Sequence, residues 1–351
     1  FAEWIKSMQG RGMASNDISS DSILLAANNT KNTNSYQVNP NNKNKTNIKY
    51  NALTYTTANK AYLNQGIYSY DALRFNAMNN LWINLGAIAG ESNGVDNISG
   101  SLSMGYDAWI KNMILGAYGT YTYGTDSIDN ASSKNQAHTG DFGFYSRFFL
   151  QNNEIDFNLG EDITYNAMSF KDDLFHTTFT GNNLGFQTHL DLTYGYVFDL
   201  SSGWFSKPFI SLGYAYGYNK AMDVTSESPL LTGEASLNTP AYQTHYLSTQ
   251  IGLEIRKYFK QNDSYFYVSP SYYQGVLLNA GQSVNTIVYS KSFYTPIEGL
   301  GKNHNLETAF ILKAGGEWQA SDHIFVNASV GTKLSGIARY GSINLGFKWR
   351  F

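Results

Sequence analysis

From Leu81 to Phe351 apolar and polar residues alternate with a period of two, the repeat of an extended strand whose faces meet different surroundings. The last stretch shows it best: Ile343, Leu345, Phe347, Trp349 and Phe351 point one way, and Ser342, Asn344, Gly346, Lys348 and Arg350 the other. Twelve candidate strands follow, near 81–90, 98–109, 112–124, 139–150, 153–166, 184–198, 206–219, 244–258, 264–276, 303–318, 322–334 and 339–351. Most run about 10–16 residues, long enough to cross a bilayer when tilted, where ~9–11 residues lie in the apolar layer.

A soluble β-sandwich also alternates, but it shows its polar face to water and gives that face ordinary charge density. Only 15% of this chain is charged, against ~25% in an ordinary soluble domain. The polar positions are filled instead by Gly, Ser, Ala and Asn with occasional charges. Aromatics supply another 15%, and many strand ends carry them: Tyr121 and Tyr123, Tyr194 and Tyr196, Tyr214, Tyr216 and Tyr218, Tyr265 and Tyr267. Such residues suit the boundary between lipid and water. No stretch approaches the ~18 apolar residues of a membrane helix. The expected fold is therefore all-β, a 12-stranded antiparallel transmembrane β-barrel, closed because lipid offers backbone groups no partners.

Short connections are expected at 109–112, 150–153, 198–206, 258–264 and 318–322, and long polar loops near 125–138, 167–183, 220–243 and 277–302. That parity puts both barrel ends on the periplasmic side and the long loops outside. Pro208 fits a strand start; Pro270 falls inside 264–276 and is expected to mark a strand end or a bulge. Before Leu81 the pattern differs. The stretch 28–51 is rich in Asn, Lys, Thr and Ser and reads as linker, whereas 53–78 regains a helical rhythm through Tyr62, Leu63, Tyr70, Leu73, Phe75 and Met78. Division follows as 1–50, tail and flexible linker; 51–79, a helical segment; and 80–351, the barrel. A helix through the pore carries the chain from the periplasmic side to the outside. Because the sequence opens at Phe1, it is expected to be a C-terminal piece of something larger or a mature form.

The region 81–351 resembles the translocator domain of the autotransporters, the type V secretion proteins, most of all the Helicobacter vacuolating cytotoxin group. The resemblance is carried by FGFYSRFF (142–149), NEIDFNLG (153–160), SLGYAYGY (211–218), EIRKYFKQNDSYFYVSPSYYQ (254–274) and SINLGFKWRF (342–351). It implies an outer-membrane translocator and anchor for an N-terminal passenger that is displayed or secreted. Implied partners are outer-membrane lipid and lipopolysaccharide, periplasmic chaperones, the barrel assembly machinery and the chain's own passenger, with the barrel a monomer. Asn344, Gly346, Trp349 and Phe351 resemble the signal that machinery reads, polar-x-Gly-x-x-aromatic-x-aromatic. An outer-membrane channel or porin, and a surface adhesin with an N-terminal plug, are the alternative functions.

The remaining polar residues offer little chemistry. His189 and Asp191 share a face, as do Glu154 and Asp156; Arg147, Glu254, Arg256, Lys313, Glu317, Lys348 and Arg350 join them in an expected lumenal network of paired charges. Catalysis requires a nucleophile and base within ~3 Å, and no spacing suggests one, so no enzyme activity is expected. Some autotransporters cut themselves at an Asn-Asn bond inside the pore, and Asn79-Asn80 precedes the first strand. Asn28-Asn29, Asn41-Asn42, Asn152-Asn153 and Asn182-Asn183 make the same pair, which removes its specificity. No cofactor is expected. With no Cys and histidines at 138, 176, 189, 245, 304 and 323, no metal site is legible. Glycines in GAIAGESNG (86–94) cradle no phosphate and are read as thinning the inner wall. A net charge of −3 gives no support for nucleic acid.

Overall fold

The computed structural model describes residues 79–351, apart from 93–94, 111, 129–130, 173–176, 228–234, 240, 260–263, 281–285, 290–293, 297–304 and 337. The expected tail and linker (1–50) and all but the last residue of the helical segment (51–79) lie outside the described residues, which begin at Asn79.

All twelve expected strands form. They are β1 (Asn80–Ser92), β2 (Val95–Ile110), β3 (Met113–Ile128), β4 (Ala131–Leu150), β5 (Asn153–Asp172), β6 (Thr177–Tyr196), β7 (Trp204–Asn219), β8 (Tyr242–Tyr258), β9 (Tyr265–Ala280), β10 (Asn305–Gln319), β11 (Ile324–Ser335) and β12 (Ala338–Arg350). Each pairs antiparallel with its sequence neighbours, and β12 returns to pair with β1 from Asn80↔Arg350 to Ser92↔Ala338. The ladder is thus closed and leaves no edge for lipid to meet.

Alternation places the residues as the sequence implies. Along β12, Ile343, Leu345, Phe347, Trp349 and Phe351 are each more than 40% exposed, while Asn344, Lys348 and Arg350 are buried inside. The outer wall is a continuous band of Leu, Ile, Val, Phe and Met, and the interior is polar. Aromatic clusters fill parts of that interior. Trp82, Ile114, Tyr118 and Tyr145 form one, and Tyr246, Tyr273, Leu277, Ala309 and Ile311 belong to another.

At one end every connection is short, from 111–112 to 197–203; at the other only the spans 220–241 and 281–304 are long, while 93–94, 129–130 and 336–337 are two residues each. At the short end Gln151 (φ 57°), Ser201 (φ 72°), Ser202 (φ 55°) and Gly203 (φ 81°) adopt the left-handed conformation that lets tight turns follow the strand twist. A side chain at Gly203 would also press on the Tyr258 carbonyl.

Three expectations are corrected. The loops placed at 125–138 and 167–183 are mostly strand: β3 reaches Ile128, β4 starts at Ala131, β5 reaches Asp172 and β6 starts at Thr177. Past the apolar layer the outward residue no longer meets lipid, so polarity stops alternating while backbone pairing continues. Within 220–243 and 277–302, short strands Met222–Glu227, Ala235–Thr239, Thr286–Tyr289 and Tyr294–Pro296 extend the sheet further. Pro270 marks neither an end nor a bulge. β9 runs through it in register, with Gly252↔Ser271 above and Ile255↔Val268 below, and the ladder to β8 skips the rungs between. A proline lacking its N–H is tolerated at such a gap; the register shift lies instead at His245/Tyr246. Finally, Tyr265 and Tyr267 face inward, packed with Tyr258. In YFYV both parities are apolar, so period two does not say which face turns in.

Candidate functional site: the charged inner wall

The interior face of β4 to β8 carries a linked set of charges close to the short-turn end. Glu154, on β5, is 2% exposed and receives Lys207 Nζ of β7 at 2.8 Å and Arg256 Nη2 of β8 at 3.3 Å. Arg256 also pairs with Glu254, two residues earlier on the same face. Beside them Arg147 of β4 grips Asp156 of β5 through Nε and through Nη2, the latter at 2.8 Å. A carboxylate this far from water requires such partners, since an uncompensated buried charge costs several kcal/mol.

The same end continues round the barrel. Lys348 of β12 reaches Glu317 of β10 at 2.5 Å, and Lys348 and Arg350 both lie over the Phe325 ring of β11. Asp107 of β2 accepts from Asn80 Nδ2 at 2.6 Å and from the Tyr145 hydroxyl at 2.8 Å, and that hydroxyl in turn accepts from Trp82 Nε1. Lys313 of β10 is buried at the same wall, opposite Ser269 in the ladder. Toward the long-loop end, Lys333 meets Glu307 at 2.7 Å and stacks its ammonium over Tyr273.

Every charged residue singled out from the sequence therefore faces inward. His189 is 2% exposed, with Nε2 3.3 Å from the Tyr118 hydroxyl, and its ring occupies the space above Gly160. Asp191 is half-buried and lies over Gly213 beside Ser248. Gly90, one of the wall glycines, gives its space to Tyr340. Of the terminal residues, Asn344 turns inward toward Ser329, and Gly346 leaves room for Asn327. Trp349 and Phe351 are exposed on the outer face with ring centroids 5.1 Å apart.

Sequence reasoning missed Asp107, Lys207, Glu307 and Lys333, and also one mixed cluster. Asp141 of β4, Asp162 of β5 and His189 of β6 are all buried, and their donor atoms lie within 4.8 Å of one another. Asp141 stands opposite Asp162 in the ladder, and His189 Nδ1 is 3.8 Å from Asp162. These donor types suit a divalent cation, so the expectation that no residues gather in that way is corrected. Linear spacing hid the cluster because the residues come from three strands. Extending the inward parity of Arg147 to Asp141, and of Glu154 to Asp162, would have shown that they share the face of His189.

Comparison with known proteins follows the same lines. Residues 1–351 match the family model described as vacuolating cytotoxin autotransporter VacA, C-terminal domain. Two vacuolating cytotoxin autotransporters of Helicobacter pylori are 26% and 28% identical over 296 and 294 residues, 80% of this chain. The chain spans 21% of their length. In fold it is similar to the translocator domain of the autotransporter NalP from Neisseria meningitidis, with a TM-score of 0.68 at 13% identity, covering 86% of this chain and 96% of that one. The beta domain of the Bordetella autotransporter BrkA gives a TM-score of 0.56 at 14% identity, covering 78% of this chain and all of that domain. A closed twelve-stranded wall, apolar outside and ion-paired within, thus meets a family match over the whole chain, and the chain belongs to the family of C-terminal domains of the vacuolating cytotoxin autotransporter VacA.

Proposed function

We propose that residues 80–351 anchor a passenger to the outer membrane and provide the lumen it follows, that 51–79 pass through this lumen as a helix, and that 1–50 are the passenger's end and linker. The observation that carries the reading is the inner wall: it is polar, its charges are paired across strands, and it contains glycines where a tighter lining would place side chains. Such a wall can face a polar segment of chain without binding it tightly. The network of Arg147, Glu154, Asp156, His189, Asp191, Glu254, Arg256, Lys313, Glu317, Lys348 and Arg350 stiffens the wall and holds the helix. Asn344, Gly346, Trp349 and Phe351 are the assembly signal, its two aromatics offered from the outer face beside the β1–β12 seam. The assembly machinery, periplasmic chaperones, surrounding lipid and the passenger are the partners of a monomeric barrel.

Single-channel conductance in planar bilayers tests the helix. The full chain should be nearly closed, and a chain starting near Asn80 should open a steady pore on the order of nanosiemens, as a water-filled barrel lumen does. Equal conductance from both would remove the helix from the pore and favour an open channel.

A further inference from the structure

Asp141, Asp162 and His189 stand apart from the ion pairs at the short-turn end, with Asp162 eight positions along β5 from Glu154. All three side chains are at most 4% exposed, and a donor atom of each lies within 4.8 Å of the others. The two carboxyl groups face each other across the β4–β5 ladder. Carboxylates brought so close away from water repel one another, and the arrangement is favourable only with positive charge between them.

His189 is placed to offer a lone pair to that space. Its ring lies over Gly160, where a Cβ would collide with Cε1, so the missing side chain is what lets the imidazole reach across β5. Nε2 is 3.3 Å from the Tyr118 hydroxyl of β3. With Nε2 donating its hydrogen to that hydroxyl, Nδ1 is the bare nitrogen, and it faces Asp162 Oδ2 at 3.8 Å. This is too long for a hydrogen bond. It is close to the separation of about 3.4 Å between two ligand atoms on a tetrahedral zinc ion with bonds of about 2.1 Å. A neighbour that anchors the second ring nitrogen is also what holds a metal-binding imidazole in place.

A separate observation comes from Asn158, which is 5% exposed and has no hydrogen-bond partner at either amide atom. It precedes Gly160 on the inward face of β5. Asn158 pairs with Asp191 and Gly160 with His189, so His189 is its diagonal neighbour on β6. A buried amide left unbonded is costly, and a water held on a cation beside His189 supplies the missing partner.

We propose that Asp141, Asp162 and His189 bind one divalent transition-metal ion of the zinc class, with a water as fourth ligand and Asn158 as that water's partner. One imidazole with two carboxylates suits such an ion better than calcium or magnesium, which take oxygen ligands in larger number. The ion ties β4, β5 and β6 together at the level where Leu159, Ile163 and Leu190 face outward in the apolar band. The site is built from the wall alone and is independent of the course of residues 51–79, so it stands or falls separately from the function proposed above.

Equilibrium dialysis against Zn²⁺ of the full 351-residue chain, folded in detergent and stripped with a chelator, tests this. One ion per barrel should be retained and should resist a large excess of Ca²⁺. Asp162→Asn and His189→Gln should each lose it, and Tyr118→Phe, which removes only the anchor of Nε2, should weaken it about tenfold. Joint replacement of the outer-wall histidines, His138→Gln with His245→Gln, should leave it unchanged. Heat-modifiable gel mobility reports whether each variant folds. Co²⁺ in place of Zn²⁺ requires no variant, since the unmodified chain should give the strong visible band of a tetrahedral site. The proposal is overturned by no retained ion, by retention indifferent to Asp162→Asn or His189→Gln, by displacement with Ca²⁺, or by a Co²⁺ spectrum like that in buffer.

Discussion

The two faces of one wall obey opposite rules. On the outside, Leu81, Leu85, Phe144, Leu192 and Leu345 are exposed and their positions need only be apolar. On the inside, Glu154, Tyr145, Asp107 and Asn344 each depend on named neighbours. Lipid accepts any hydrocarbon, so the outer face tolerates exchange within a chemical class. The interior offers few alternative partners, so exchange there leaves a charge or hydroxyl stranded.

The sharpest way to break this contrast is at Glu154. Glu154→Ala leaves Lys207 and Arg256 buried without their shared carboxylate and should cost about 3–5 kcal/mol in urea unfolding from lipid vesicles. Glu154→Asp, which keeps the charge, should recover part of that loss. On the other face, Leu345→Arg places a cation against lipid and should cost about 2–4 kcal/mol by the same measurement. Leu345→Phe, larger but apolar, should change little, and a loss comparable with the arginine variant would refute the claim that the outer face reads only polarity. Gly275→Ala sharpens the inner rule, because the added methyl would overlap the Tyr246 hydroxyl, which bonds Tyr273 at 2.6 Å; about 1–3 kcal/mol is expected. The smallest of the interior losses is at Tyr145→Phe, which takes a partner from Trp82 and Asp107 and should cost about 1–2 kcal/mol, with tryptophan fluorescence shifting as the Trp82 indole loses its acceptor.

How much could be read in advance follows from the same division. Twelve strands were legible because lipid forces alternation: Ile343 to Phe351 announces its own two faces. Inward placement of Glu154, Arg256 and Lys348 came from the same parity. What stayed hidden is what parity does not encode. Gln136 and Lys134 continue β4 beyond the lipid, where an outward polar residue looks like loop. Tyr265 and Tyr267 sit in a run apolar on both sides. The meeting of Asp141, Asp162 and His189 depends on register between three strands, which turns and bulges set and composition does not. The pairing of Glu154 with Arg256 is hidden for the same reason, at a separation of 102 residues.

The seam between β1 and β12 has a consequence in time. Every other neighbouring pair in the wall joins strands that follow one another in the chain, and so can meet soon after both are made. β1 has a partner on one side from the start and must wait for Ala338–Arg350 to gain the other. Until then eleven strands form a curled ribbon with an unsatisfied margin, a species that lipid rejects and that other strands can join. The final strand therefore acts as a timer: commitment to the membrane is withheld until the last part of the wall exists, and a chain interrupted before Ala338 should remain an open ribbon however well the rest has paired.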